Sequence, residues 1–311
     1  MNYEVLNLLN ASLASSTRAS YRNALGHYIT FHGSYYPNSV LLPASVEQVA
    51  QFITICYLKN LKCSTITSYM SAIAYVHKVS GLVNPTESFI DKKLLHATRR
   101  HSSIDKRHAF YIKDIDNIVK ALPDIGTDPY LLIMYTAMIL TAFFGLLRVG
   151  EITVSTHGHQ NIIRKDAIKL GYQGNHVSTI NIYMSSYKHS QGHPASIPLC
   201  RQLLKSICPV RALIRYLKSS SCPSGHLFHH KSGQTVSSSE FREVLRSCVS
   251  ACGLDPSCYT CHSLRIGGAT HAYLMNMPSS QICKLGRWKS TAYKKYIRTH
   301  ALPINSFIGQ S

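Results

Sequence analysis

The sequence predicts a mainly α-helical protein with a small antiparallel β-sheet, divided into an N-terminal helical bundle and a larger α+β portion. Helical apolar spacing dominates both ends of the 311-residue chain, three short β-rich runs cluster near its middle, and a polar stretch, RRHSSIDKR, interrupts the pattern at 99–107. Domains run about 100 to 200 residues each, so the length suits two. A hydrophobic fraction of 45% is ample for two cores. The expected division is a helical unit at 1–98, a linker at 99–107 and a second unit at 108–311.

The elements follow in order. Ser16 is placed to cap a helix carrying Tyr21, Leu25, Tyr28, Ile29 and Phe31. Ser45, with Gln48 three residues on, forms a capping box for a helix over Val49 to Leu58. Ser64 or Thr65 opens a third helix through Met70, Ile73 and Val76 that Gly81 stops, and Pro85 to Ser88 precedes a fourth ending near Arg99. Beyond the linker, residues 129–147 form a nearly all-apolar run of about nineteen residues, whose flanks and neighbouring Gly145 and Gly150 favour a buried core helix over a membrane span. Arg148 and Glu151 stand at its polar end.

Residues 167–170, 179–184 and 195–199 read as strands, joined by turns at 171–175 and 188–194, with Lys188 in the second turn. Helical patterns return at 209–218, at a capping box of Ser237 and Glu240 leading to Val249 and closed by Gly253, and at 262–275. Two short helices are expected near 280–285 and 290–298.

Thirty-three Lys and Arg against fourteen Asp and Glu give a formal charge of +19, which favours a polyanionic partner over a neutral metabolite. No acid follows Asp255, whereas Arg265, Lys284, Arg287, Lys289, Lys294, Lys295 and Arg298 do. A basic face coinciding with unusual motifs points to nucleic acid. The N-terminus lacks a basic stretch followed by an apolar core, and no apolar run is long enough for a membrane span, so an intracellular protein is expected. Ten cysteines in that setting read as free thiols. Cys258-Tyr-Thr-Cys261-His262 also fits a haem-attachment pattern, and Cys252 with His226, His229 and His230 a zinc site, but export signals and a second ligand pair at finger spacing are missing. Neither a metal nor another cofactor is expected.

Chemistry is concentrated in four places. Attack on a phosphodiester builds negative charge on two non-bridging oxygens, which two guanidinium forks can hold. Arg148 and Arg265 are the candidate pair: Arg148 ends an apolar helix, and Arg265 lies one turn from His262, which exchanges protons near neutral pH. Lys188, on a hairpin turn, is placed to protonate a leaving alkoxide. A phenol, with an intrinsic pKa of about 10, needs nearby cations to act as a nucleophile, and both Tyr293 and Tyr296 have them.

These motifs, in this order, resemble the catalytic domain of the tyrosine recombinase (phage integrase) family. The resemblance lies in Gly145-Leu-Leu-Arg148-Val-Gly-Glu151, Tyr187-Lys188-His-Ser-Gln-Gly192, His262-Ser-Leu-Arg265, Leu285-Gly-Arg-Trp288 and Tyr296-Ile-Arg298, and spans about 110–298. It implies a SAM-like core-binding domain followed by a catalytic domain, both closing around duplex DNA. It further implies that Tyr296 forms a 3′-phosphotyrosyl link, Arg148 and Arg265 hold the phosphate, and His262 assists proton transfer. Lys188 protonates the departing 5′-oxygen, Trp288 packs or donates its indole N–H, and Glu151 supports Arg148. The implied activity is site-specific cutting and rejoining of double-stranded DNA by a homo-oligomer, a tetramer at synapsis. The wording is closest to eukaryotic mobile-element recombinases of the retrotransposon or Crypton type, which implies a nuclear location if the source is eukaryotic and a cytoplasmic one otherwise. An inert DNA-binding descendant and a type IB topoisomerase are the alternatives. The interval from Trp288 to Tyr296 is eight residues, one short of many family members, which keeps Tyr293 as a rival nucleophile. Fifteen residues follow Tyr296, too few for a long C-terminal exchange helix.

Overall fold

The computed structural model of the chain describes residues 3–100, 107–126, 128–155, 161–187, 190, 192–220, 222 and 224–298. The chain separates into two compact units, Met1–Asp105 and Lys106–Ser311.

The first unit is helical: α1 (Tyr3–Ser12), α2 (Ser15–Tyr35), α3 (Val46–Leu58), α4 (Cys63–Val79) and α5 (Phe89–Arg100). Its core is aromatic and β-branched, with Tyr28, Phe31, Val49, Phe52, Ile53, Ile66 and Ile73 buried together. The capping box at Ser45 is present as expected, the Ser45 hydroxyl accepting from Gln48 N–H at 3.1 Å and the Gln48 amide oxygen accepting from Ser45 N–H at 2.8 Å. Three boundaries differ from expectation. α2 begins at Ser15 after Ala14, α4 begins at Cys63 after Lys62, and neither uses a side-chain cap; packing of the apolar faces substitutes for the missing cap bonds. α5 continues through Arg100, because nothing in the basic pair Arg99-Arg100 breaks a helix. Of the expected linker, residues 101–106 lie outside the described residues.

The second unit is built around α7 (Pro129–Phe144), preceded by α6 (Ile112–Ala121). Asp128 caps α7 by accepting from Tyr130 N–H at 2.7 Å. The helix ends at Phe144, three residues before the apolar run does. Gly145 is its C-cap and Leu146 adopts a left-handed conformation, φ +46°, so apolarity continues while the backbone turns. After the short α8 (Val149–Ile152) come β1 (Ile168–Gln173), β2 (His176–Met184) and β3 (Ala195–Cys200), an antiparallel sheet in the order β1-β2-β3. β1 runs past the expected turn start at Gly171, where the register shifts. A side chain at Gly171 would meet the Thr179 hydroxyl at 2.2 Å, so glycine lets β1 close on β2 there. Ile180 and Ile182 of β2, paired with Leu199 and Ile197 of β3, turn inward onto the core of α7.

α9 (Pro209–Ser219), α10 (Ser238–Ala251), α11 (Cys261–Leu274) and α12 (Ser279–Gly286) complete the unit, with a 3-10 segment at Ser290–Tyr296. The Ser237/Glu240 capping box is present, and Gly253 at φ +71° follows α10. The last expected helix is therefore a 3-10 segment ending at Tyr296. α1 and α6 were not legible as periodic segments.

Candidate active site

α11 carries two of the expected residues. Its start is fixed by Thr260, whose hydroxyl accepts from His262 N–H at 3.2 Å, and by Ser263, whose hydroxyl accepts from Thr260 N–H at 3.0 Å. Its middle lies against neighbouring backbone. A Cβ on Gly267 would stand 2.1 Å from the Phe110 carbonyl oxygen, and one on Gly268 2.0 Å from that of Phe143. Two glycines inside a helix cost about 1 kcal/mol each relative to alanine; here they let α11 approach the end of α7 closely enough for Arg265 to reach the turn beyond it.

Arg265 is fully buried. Its guanidinium donates through Nη1 to the carbonyl of Leu146 and through Nη2 to that of Gly286, while Nε is left without a partner. Arg148 lies at the head of α8, its N–H donating to Glu151 Oε2 at 2.8 Å and its Nη1 to Glu151 Oε1 at 3.0 Å. Arg287 completes the group, and sequence reasoning missed it. Its Nη2 donates to Glu151 Oε2 at 2.7 Å and to the Leu146 carbonyl at 3.1 Å. In a run of basic residues it resembles a surface charge; the available signal was its place between Gly286 and Trp288, nine residues before Tyr296.

Three guanidiniums and one carboxylate make a cluster with a formal excess of two positive charges among the described residues. Burial, then Arg148 and Arg287, lower the pKa of Arg265, against the opposing influence of Glu151 and Tyr296. Burial likewise lowers that of Arg287, opposed by Glu151. Guanidinium stays protonated at working pH, so these shifts reflect first the cost of burying the cations and then their mutual repulsion, both of which an anion in the site would offset.

Tyr296 faces this cluster. Its ring centroid lies 4.6 Å from that of Trp288, 5.3 Å from that of His262 and 5.4 Å from the Arg265 guanidinium carbon. Trp288 also lies beneath Arg265, at 4.4 Å, and its buried indole N–H has no hydrogen-bond partner; packing is its observed role. Thr270 contacts the tyrosine backbone: its hydroxyl proton is shared between the Ile266 carbonyl at 2.9 Å and the Tyr296 carbonyl at 3.2 Å, and its oxygen accepts from Arg298 N–H at 3.1 Å. Tyr293 points elsewhere. It is buried with Ala272 and Ile282, and its hydroxyl bonds Ser279 at 2.7 Å. The structure thus brings Arg148, Glu151, His262, Arg265, Trp288 and Tyr296 to one place. Lys188 lies outside the described residues, but its neighbour Tyr187 lines a cleft of about 240 Å³ with Arg287 and Trp288.

No family model matches the chain. An integrase/recombinase XerD homologue from Selenomonas ruminantium is 25% identical over 260 residues, 80% of this chain and 72% of that protein. The structure superposes on the XerH site-specific recombinase in a post-cleavage complex with its palindromic difH substrate, at a TM-score of 0.63, with 13% identity, over 94% of this chain and 83% of XerH. A lambda integrase dimer bound to a COC′ core site matches at 0.63 and 15% identity, covering 94% and 74% of the two chains. The Tn1549 transposon integrase with right-end DNA matches at 0.63 and 13%, covering 95% and 92%. The chain is thus similar in sequence to an integrase/recombinase and shares the fold of these solved recombinases. Of the chain's two units, the first is helical and the second is mixed and carries the arginine cluster. None of the ten cysteines is in a disulfide. Among the described residues no helix is long and apolar enough to cross a membrane.

Proposed function

We propose that this chain is a site-specific recombinase or integrase that cuts and rejoins double-stranded DNA through a 3′-phosphotyrosyl intermediate on Tyr296. The observation that carries this reading is the convergence of the Tyr296 ring on His262, Arg265 and Trp288, with Arg148 and Arg287 sharing Glu151 behind them. The phenol oxygen of Tyr296 attacks the scissile phosphorus and passes its proton to His262 as the new P–O bond forms. The bond to the 5′-oxygen breaks, and Lys188 protonates that oxygen. The pentacoordinate transition state carries two negative charges, which a cluster of charge +2 matches. Arg148 and Arg265 hold the non-bridging oxygens, His262 assists proton transfer and phosphate binding, and Trp288 supports the ring of Tyr296. A 5′-hydroxyl from a partner strand then reverses the step, so the ester retains the bond energy that hydrolysis would lose. Glu151 orients Arg148 through both its backbone and its side chain.

The unit Lys106–Ser311 carries the chemistry and Met1–Asp105 grips DNA as a core-binding domain. Related structures include dimers on a core site and a lambda integrase tetramer on a Holliday junction; assembly of this chain as a tetramer at synapsis follows from that likeness. A role in a mobile element, with a nuclear location in a eukaryotic cell, rests on the Gly-Arg-Trp-Lys-Ser and Tyr-Ile-Arg wording.

A pool of nicked duplexes with randomised sequence around the nick tests the function. The short strand beyond the nick diffuses away after cleavage and traps the adduct, which shifts the protein in a denaturing gel and reports the preferred sequence when read out. Tyr296→Phe is expected to abolish the adduct. Adduct formation by Tyr296→Phe would move the nucleophile, and no adduct with wild type would remove the cutting activity.

A further inference from the structure

Arg287 adds to the charge of this cluster, but the chemistry above gives its side chain no contact of its own. Its side chain is 1% exposed, its terminal nitrogens donate to Glu151 and to backbone carbonyls, and its residue sits in the left-handed region at φ +55°. A non-glycine residue held there persists only where its surroundings demand it. The demand is visible: besides Glu151 and Leu146, Arg287 donates through Nη1 to the carbonyl of Leu285 at 3.1 Å, which ties the end of α12 to the turn that bears Arg148. Gly286 before it has no room for a side chain, since a Cβ there would stand 2.0 Å from the Trp288 ring. The main chain is therefore shaped so that residue 287 points inward and Trp288 folds back under Arg265.

We propose that Arg287 is a positioning residue for cleavage: it occupies one oxygen of Glu151, so that the other is left to orient Arg148, and its buried charge raises the site's capacity for a dianionic transition state. This rests on the reading of the site as a phosphodiester cleavage centre. A buried carboxylate bonded by a single arginine can swing to accept both donors of that fork. Divided between two arginines, Glu151 has one oxygen fixed by Arg287 and the Arg148 backbone, and its other oxygen has one direction in which to accept from Arg148. A purely structural ion pair would also knit α12 to α8, but it would not make the penalty of its loss depend on the charge of the substrate.

That dependence is the test. Adduct formation is timed on the DNA sequence recovered from the randomised pool, with either an ordinary phosphate or a neutral methylphosphonate at the scissile position. Arg287→Met is expected to slow adduct formation by about 100-fold on phosphate, the usual loss for one electrostatic donor, and by less than about tenfold on methylphosphonate, whose transition state bears one charge fewer. Arg287→Lys, which keeps the charge without the planar fork, should fall between wild type and Arg287→Met on phosphate. Equal penalties on the two substrates, or none, would overturn the proposal. Thermal unfolding is followed in parallel; should Arg287→Met fail to fold, Arg287→Gln, which keeps a donor for the Leu146 carbonyl, decides by the same comparison. If wild type forms no adduct, the cleavage reading fails, and orthovanadate binding measured by calorimetry decides about Arg287: at least tenfold weaker binding in the variant supports its role, and equal binding rejects it.

Discussion

The arginine half and the tyrosine half of the site are built in different ways. Arg265 is fully buried, both of its terminal nitrogens donate to backbone carbonyls, and the helix that carries it lies against neighbouring backbone through Gly267 and Gly268. Tyr296 is half-buried, ends a 3-10 segment, and is held by ring contacts and the hydroxyl of Thr270. The first half is preorganised for charge at a large desolvation cost. In the proposed function, the second is attached lightly enough to present a nucleophile and then carry a covalently bound strand. Electrostatic catalysis rewards rigidity, whereas strand exchange needs the phosphotyrosine to move with its DNA.

Removing a rigid cation should hurt most. Arg265→Ala is expected to lower the rate of adduct formation by about 10²- to 10³-fold, and Arg265→Lys should rescue little, because one ammonium cannot span the Leu146 and Gly286 carbonyls. A mild effect of Arg265→Ala, measured on the nicked duplex, would break the contrast between the halves.

Thr270→Val, isosteric but unable to hold the Tyr296 carbonyl or the Arg298 N–H, is expected to slow adduct formation by about tenfold, with Thr270→Ser close to wild type. Binding of uncleaved DNA, measured in the same variants, should stay constant. Tyr293→Phe sharpens the comparison from the other side: it removes the bond to Ser279 and should cost about 1 kcal/mol in denaturant unfolding while the adduct still forms.

The smallest effect concerns His271, whose ring lies 6.0 Å from that of Phe143 and 6.2 Å from that of Phe144, between α11 and α7. Burial lowers its pKa below the usual 6.5. The unfolded chain therefore binds its proton before the folded one does, and stability declines as pH falls through 6.5 towards the lower folded value. His271→Gln should flatten that part of the melting temperature against pH profile; an unchanged slope would assign the dependence to another group.

Much of the fold was legible where local chemistry and packing agree. The capping boxes at Ser45 and Ser237 and the alternating β2 strand all leave period and cap signals that the structure repeats. The end of α7 was misplaced because hydrophobicity reports burial, whereas the turn at Leu146 is a property of the backbone. In the site, the spacing of His262 and Arg265 was readable because one helical turn separates them. Arg287 was not, since a buried arginine and a solvated one are written with the same letter and its partner Glu151 lies 136 positions away. The choice between Tyr293 and Tyr296 likewise depends on which ring faces inward towards Ile282, a question of tertiary packing.

The carbonyl oxygen of Leu146 accepts from both Arg265 and Arg287. One neutral dipole thus serves as a shared counterweight for two cations that repel each other in a medium of low polarisability. A protein arranged in this way is most comfortable in the company of an oxyanion. Its resistance to heat should then track the concentration and valence of phosphate or sulfate in the buffer more closely than ionic strength alone, making the choice of salt a handle on the molecule's behaviour before any nucleic acid is added.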